Sequence, residues 1–141
     1  MLIIYKNISA LINTLCYNVS ENLVIKMKLN HYIDEKLDIS ISNINVELDK
    51  NIKKYQFFLD NISNCIYITD RLNLIRENDE YILSIFLGQS NECNIHLKKE
   101  KADFKINVIN GSYEEKNNYI KVEYILETDE KKHTIILETG E

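Results

Sequence analysis

The sequence predicts an antiparallel β protein, because apolar and polar residues alternate in short runs along most of the 141-residue chain. Residues 23–30 and 120–127 are two such runs, and in each of them every second residue is apolar. This period of two places one face of a strand in the core and the other face in solvent. Polar segments rich in Asn, Asp, Gly and Ser separate the runs, as turns do. A succession of this kind indicates a barrel or a sandwich.

The first 20 residues differ from the rest of the chain. Apolar residues with helical spacing occur there at Ile8, Leu11, Ile12 and Leu15. We therefore expect a short amphipathic helix, preceded by an edge strand at Leu2–Tyr5. The helix would either pack on the sheet as a strap or bind a partner. Residues 1–20 are thus predicted to be an N-terminal helical extension, and residues 21–141 a single β-barrel domain.

The strands predicted in the rest of the chain follow one another closely. They are Leu23–Ile33, Leu37–Leu48, Tyr55–Leu59, Cys65–Thr69, Leu72–Arg76, Tyr81–Leu87, Cys93–Leu97, Phe104–Ile109, Tyr119–Leu126 and Thr134–Leu137. Turn residues between them predict that most connections are hairpins. The stretch Asn110–Ser112 is interpreted as one of these turns.

The second predicted strand changes phase along its length. Its apolar residues stand at odd positions up to Ile41 and at even positions from Ile44 onward. One extra residue near Ser42 and Asn43 would return both halves to a common face. The sequence therefore predicts a β-bulge there, which suits a long strand that turns a corner in a closed barrel.

Composition and charge narrow the class of protein. The net charge of −5 argues against nucleic-acid binding, and the basic runs at residues 50–54 and 98–101 lie beside Asp49 and Glu100 at apparent strand ends, as solvated turns do. No apolar run is long enough to cross a membrane, and the N-terminus lacks the features of a secretory signal. The cysteines, Cys16, Cys65 and Cys93, are odd in number and have no pairing motif. We expect a cytoplasmic protein.

No set of residues demands a particular chemistry. His31, His96 and His133 lie in three separate runs, and no Cys or His pair has zinc-ligand spacing. Neither Gly88 nor Gly111 belongs to a glycine-rich phosphate loop. We expect no metal, no cofactor and no catalytic residue, and hence not an enzyme.

One polar residue breaks the alternation. Arg76 continues the inward phase of Leu72 and Leu74, so its guanidinium must reach water, pair with a group such as Asp60, or bind a ligand. Aromatic residues on several strands would fill a small barrel or line a pocket for an apolar ligand. The candidate ligand-binding residues are Arg76, Asp60, Phe58, Phe86, Phe104 and Tyr124.

The second half of the chain resembles the YwiB-like family of small bacterial β-barrel proteins, over about residues 70–138. The similar features are a strand that ends at Arg76, a strand with Phe86 before Gly88, a strand that contains Tyr124, and a final strand after His133. The chain departs from the family pattern where a glycine is expected after the arginine. The resemblance implies a lipocalin-like or calycin-like up-and-down barrel of about 8–10 strands, and it transfers no catalytic residue.

Two functions remain open at this point. The first is a barrel that binds a small apolar or amphipathic molecule in its interior. The second is a filled barrel that binds a protein partner, or a second copy of itself as a homodimer, through the N-terminal helix or an edge strand. An interior cavity would distinguish the two.

Overall fold

The computed structural model describes residues 22–139, and these form one antiparallel sheet of eleven strands. The strands are β1 (Asn22–Ile33), β2 (Lys36–Asp49), β3 (Lys54–Leu59), β4 (Ile62–Ile68), β5 (Leu72–Glu77), β6 (Tyr81–Leu87), β7 (Glu92–Leu97), β8 (Ala102–Ile106), β9 (Val108–Lys116), β10 (Tyr119–Leu126) and β11 (Lys132–Thr139). Consecutive strands pair with each other, with two exceptions. β2 pairs with β3 over only part of its length, and β8 does not pair with β9. The result is an up-and-down, nearly closed barrel.

The first and last strands of the barrel, β1 and β11, are neighbours within the sheet. β1 pairs with β11 from Met27–Thr139 to Ile33–His133, so the two ends of the described chain are joined by a regular ladder. The two edges of the sheet are instead β8 and β9, which are consecutive in sequence but not hydrogen-bonded to each other. β9 approaches β6 at this seam, where Gly111 lies against Leu87.

Alternating apolar residues fill the barrel. Large side chains less than 2% exposed come from strands all around the sheet: Met27, Leu29, Val46, Ile66, Leu72, Leu74, Ile85, Leu87, Ile120, Val122 and Leu137. They follow the period of two that the sequence shows, which confirms the prediction of an all-β antiparallel barrel. The middle of the barrel is therefore a packed core.

β2 contains two irregularities in its pairing with β1. Met27 pairs with Ile44 and Leu29 with Ile41, so one extra residue lies at Ser42–Asn43, which confirms the predicted bulge. A second shift occurs between the pairs of His31 and Tyr32, and it leaves Asp38 of β2 as the extra residue.

β2 also separates from β3 over most of its length. The two strands pair only where Glu47–Asp49 meets Lys54–Gln56. Residues 36–46 of β2 pair with β1 alone, and Phe57–Leu59 of β3 pair with β4 alone, among the strands described here. We call the opening between them the β2–β3 slot. It is a solvent-open groove with a volume of about 610 Å³, lined in part by Ile39, Ile41, Ile44, Phe58, Leu59 and Asp60.

Three details differ from the sequence-based predictions. The barrel has eleven strands instead of about 8–10, because the predicted strand Phe104–Ile109 is divided between β8 and β9. Asn110–Ser112, predicted to be a turn, lies within β9. The predicted N-terminal helix and the edge strand Leu2–Tyr5 fall outside the described residues. Within those residues, no helix has the length and apolarity needed to traverse a bilayer.

Candidate functional site

One end of the barrel interior is polar. Side chains from five strands meet there: His31 (β1), Asn64 (β4), Arg76 (β5), Tyr124 (β10) and His133 (β11). We call this group the polar end. Each of the five continues the inward phase of its strand, so the same alternation that builds the apolar core also directs these polar groups inward.

Arg76 is the central cation of the polar end. Its Nε donates a hydrogen bond to Oδ1 of Asn64 at 3.0 Å, and its guanidinium lies near enough to Tyr124 for its charge to act on the Tyr124 hydroxyl. Asn64 pairs with Arg76 across the β4–β5 ladder, and its own amide donates to the Ile62 carbonyl at 3.2 Å. Among residues 22–139, no carboxylate lies within 4.0 Å of this guanidinium. Its charge is therefore held by neutral partners.

Two histidines and two aspartates form a chain beside Arg76. His133 Nε2 lies 2.8 Å from Asp129 Oδ2, and since a carboxylate only accepts, His133 donates there. His133 Nδ1 lies 3.2 Å from Nε2 of His31, and with Nε2 of His133 donating to Asp129, an Nδ1 without a proton accepts from the His31 N–H. The remaining nitrogen of His31 faces Asp38 Oδ2 at 3.8 Å. The His133 ring stacks on both His31 and Tyr124, which fixes its orientation.

These surroundings shift the pKa values of the titratable groups. Burial lowers the pKa of His31 below its usual 6.5, the charge of Arg76 and the neighbouring His133 act in the same direction, and the Asp38 carboxylate opposes the shift. Burial raises the pKa of Tyr124 above 10.0, although Arg76 opposes the shift. Burial alone would raise the pKa of Asp129, but hydrogen bonds from His133 and the Lys131 amide lower it overall. At neutral pH, His31 and Tyr124 are thus uncharged, and Arg76 is the cation of the polar end.

A small cavity borders Arg76. It is lined by His31, Asn64 and Arg76 on its polar side and by apolar residues elsewhere: Leu29, Phe57, Leu59, Ile66, Leu74 and Ile135. The enclosed volume is about 10 Å³, which is room for about one water molecule. Leu59 lines both this cavity and the β2–β3 slot, so the two spaces are neighbours.

The structure brings together two of the six candidate residues, Arg76 and Tyr124. Asp60 is not the partner of Arg76: it is exposed in the β3–β4 turn with a φ of 55°. Phe58 is 67% exposed and lines the β2–β3 slot together with Asp60. The two remaining aromatic residues lie elsewhere. Phe86 is covered by the Arg71 guanidinium at 4.8 Å, and Phe104 is 53% exposed on the edge strand β8.

Sequence patterns alone did not place His31, Asn64 and His133 at a common site. His31 and His133 stand 102 residues apart. They meet because Ile33 pairs with His133 and His31 with Ile135, which makes the two histidines diagonal neighbours on one face. Only the register of the first strand against the last reveals this contact.

Metal and thiol chemistry receive no support from the described residues. No group of three or more His, Cys, Asp or Glu in residues 22–139 is arranged to hold a metal ion. Cys65 and Cys93 are free thiols, and burial raises the pKa of both, to about 11 for Cys93. Thiols with raised pKa values are poor nucleophiles at neutral pH.

Comparisons of the chain with models of protein families, with curated proteins and with solved structures gave no match.

Proposed function

We propose that this protein is a lipocalin-like or calycin-like barrel of the YwiB-like kind that binds a small amphipathic carboxylate at its polar end. The ligand's head group would lie against Arg76, and its short apolar part would contact Phe57, Leu59 and Ile135. The packed core leaves no comparable room in the middle of the barrel. The proposal therefore places the ligand at the polar end, next to the β2–β3 slot.

The observation that carries the proposal is the inward guanidinium of Arg76, which no carboxylate among residues 22–139 approaches within 4.0 Å. A partly buried cation without an anion is costly, and an anion that binds beside it recovers charge-assisted hydrogen bonds. Arginine presents five N–H donors, of which the contacts with Asn64 and Tyr124 use only some. Planar carboxylates match the remaining fork.

The size of the cavity limits the ligand. The cavity beside Arg76 holds no more than about one water molecule, so only the carboxylate head would approach Arg76 there, the ligand's chain would extend toward the adjoining β2–β3 slot, and a bulky group would have to move core side chains. The apolar lining favours a short aliphatic chain over a second charge. We therefore expect short monocarboxylates to bind better than dicarboxylates or sugars.

The test uses acetate, butyrate and hexanoate as probes, with butyramide as the uncharged analogue of butyrate. Binding is followed by calorimetry and by amide shifts in NMR spectra. Arg76→Met should weaken butyrate binding about 10- to 100-fold, because a hydrogen bond to a charged group contributes about 1.5–3 kcal/mol. Arg71→Met is the matched control, since Arg71 is the other arginine and pairs with Glu92 on the outer surface. Butyramide that binds as tightly as butyrate, or an unchanged affinity in Arg76→Met, would refute the proposal.

A second function, the binding of a protein partner through an edge strand, is favoured by the seam between β8 and β9. Both strands present one edge that no described strand pairs with. Phe104 and Ile109 are 53% and 56% exposed there. Exposed apolar residues beside unpaired strand edges are typical of strand-addition sites. Size-exclusion chromatography with mass measurement on the wild type and on Phe104→Lys/Ile109→Lys tests this function. The wild type should form an assembly, and the charged variant should not.

A further inference from the structure

We propose that two copies of this chain join through the free edge of β8, as an antiparallel pair with Phe104 of one copy opposite Phe104 of the other. This pairing rests on the second function above, the binding of a partner through an edge strand, and it specifies both the partner and the register. It is supported by the direction of the β8 backbone groups, by the order of the β8 charges and by the exposure of Phe104.

The backbone of β8 presents hydrogen-bonding groups along its free edge. Just beyond the β6–β7 ladder, the Lys98 N–H donates to the Glu80 carbonyl at 2.9 Å. Bonded and non-bonded pairs alternate along an antiparallel ladder, so Ile95 directs its N–H and C=O groups away from β6 and toward β8. Phe104, opposite Ile95, bonds with it there, and the residues on either side of Phe104 therefore direct their groups to the other edge. No strand among residues 22–139 pairs with that edge, which makes it a template for another strand.

The charges of β8 are self-complementary about Phe104. The strand reads Ala, Asp, Phe, Lys, Ile. When two copies run antiparallel with Phe104 at the centre, Asp103 of each copy lies opposite Lys105 of the other, and the backbone groups of these two residues form the hydrogen-bonded pairs. Opposite charges directly across such a pair attract, and like charges repel. A register centred on Asp103 or on Lys105 would place like charges opposite each other, so the charges select the register centred on Phe104.

Phe104 supplies apolar contact at the centre of the pair. It lies on the same face of β8 as Ile106, which packs against the core, yet it is 53% exposed because no described strand covers its free side. In the proposed register the two Phe104 residues form a non-hydrogen-bonded pair, with Cα atoms about 4.5 Å apart and side chains in contact. Aromatic pairs across strands are favourable in this position.

The charged side chains are accessible to a second copy. The Asp103 side chain is 79% exposed, and its contact with His96 at 2.7 Å uses one carboxylate oxygen, so the other can accept from Lys105 of the second copy. Lys105 is exposed. Because the contact is two-fold symmetric, it closes at a dimer and does not extend into a filament. Two short strands bury less than the standard interface of about 1,200–2,000 Å², so the dimer should be weak.

The test measures self-association of the full-length chain by analytical ultracentrifugation at about 1 μM to 1 mM, the range of weak complexes. The wild type should dimerise. Asp103→Lys and Lys105→Asp should each raise the Kd of the dimer about 5- to 100-fold, because each turns two attractive cross-strand pairs into repulsive ones. An equimolar mixture of the two variants should dimerise again, because the two lysines of one variant then face the two aspartates of the other. Lys26→Asp is the control, since it makes the same change of charge at an exposed position of β1 and should leave the dimer intact. Circular dichroism reports whether each variant is folded.

Two results would overturn this pairing and leave the second function standing. The first is an assembly that Phe104→Lys/Ile109→Lys dissociates but that neither charge variant weakens. The second is a mixture of the two charge variants that dimerises no more tightly than each variant alone. A wild type that stays monomeric over the whole concentration range would overturn both the pairing and the second function.

Discussion

Replacing Gly111 by alanine tests how the barrel closes at the seam between β8 and β9. A Cβ atom added at Gly111 would lie 2.5 Å from Cδ2 of Leu87 and 3.4 Å from Nδ2 of Asn91. Carbon atoms in ordinary contact are about 3.5–4.0 Å apart, so either Leu87 or β9 must move by about 1 Å. Leu87 is fully buried among other core residues, and its side chain has no free space to rotate into.

The magnitude follows from two opposing effects. Overpacking of a well-packed core costs about 1–3 kcal/mol. Gly111 has no positive φ, so alanine fits its backbone and recovers about 0.4–1 kcal/mol by restricting the unfolded chain. The net loss of unfolding free energy is then about 0–2.6 kcal/mol, which lowers Tm by up to about 10 °C for a chain of this size.

Urea unfolding followed by fluorescence or circular dichroism measures this loss, with Ser112→Ala as the control. Ser112 is the next residue in β9 and is exposed, so its substitution should change stability by less than about 0.5 kcal/mol. In a Leu87→Ala background the clash is absent, and Gly111→Ala should there be neutral or stabilising. If Gly111→Ala changes stability equally in the wild type and in the Leu87→Ala variant, the view that β9 packs on Leu87 at the seam is wrong.

Two further predictions concern the polar end and the core. Because burial lowers the pKa of His31 below 6.5, the unfolded chain binds a proton that the folded chain does not, and stability should fall as pH drops from 6.5 toward the lowered pKa. Urea titrations at several pH values should show that His31→Gln loses this part of the pH dependence, while His96→Gln, on the surface beside Asp103, retains it. Leu137→Ala should cost about 2–5 kcal/mol, measured by the same titrations, because Leu137 is fully buried. The matched control Leu23→Ala removes a 43% exposed side chain and should cost far less.

The barrel could be predicted because its information is local. Each strand carries its own alternation, and each turn its own polar residues, so the class of fold needs no knowledge of distant contacts. The exception is instructive. Asn110–Ser112 has the composition of a turn, yet it forms part of β9 because Gly111 lets the backbone approach Leu87. The glycine serves close packing there instead of a change of chain direction.

The polar end could be predicted only in part because it depends on register. Arg76 was visible as an inward charge within a single strand. Its neighbours His31 and Tyr124 come from strands whose alignment is set by pairing across most of the chain length. Asp60 looked like a partner on phase alone, but the β3–β4 turn carries it away from the interior. The alternation of apolar and polar residues shows which face of a strand a residue lies on, but it does not show the position of that residue along the barrel axis.

The bulge at Ser42–Asn43 links the local pattern to the opening in the sheet. A bulge bends and twists the strand that contains it. β2 pairs with β3 only at Glu47–Asp49, a few residues C-terminal to the bulge, and the stretch that contains the bulge is not paired with β3. The second extra residue, Asp38, lies further along the same free stretch. Deleting Asn43 would remove the extra residue and leave the pairs Met27–Ile44 and Leu29–Ile41 in a regular ladder, so Ile39 and Ile41 would stay on the inner face while the local bend of β2 is lost. The bulge thus absorbs the change of phase in the sequence and keeps these side chains inward along the stretch where β2 diverges from β3.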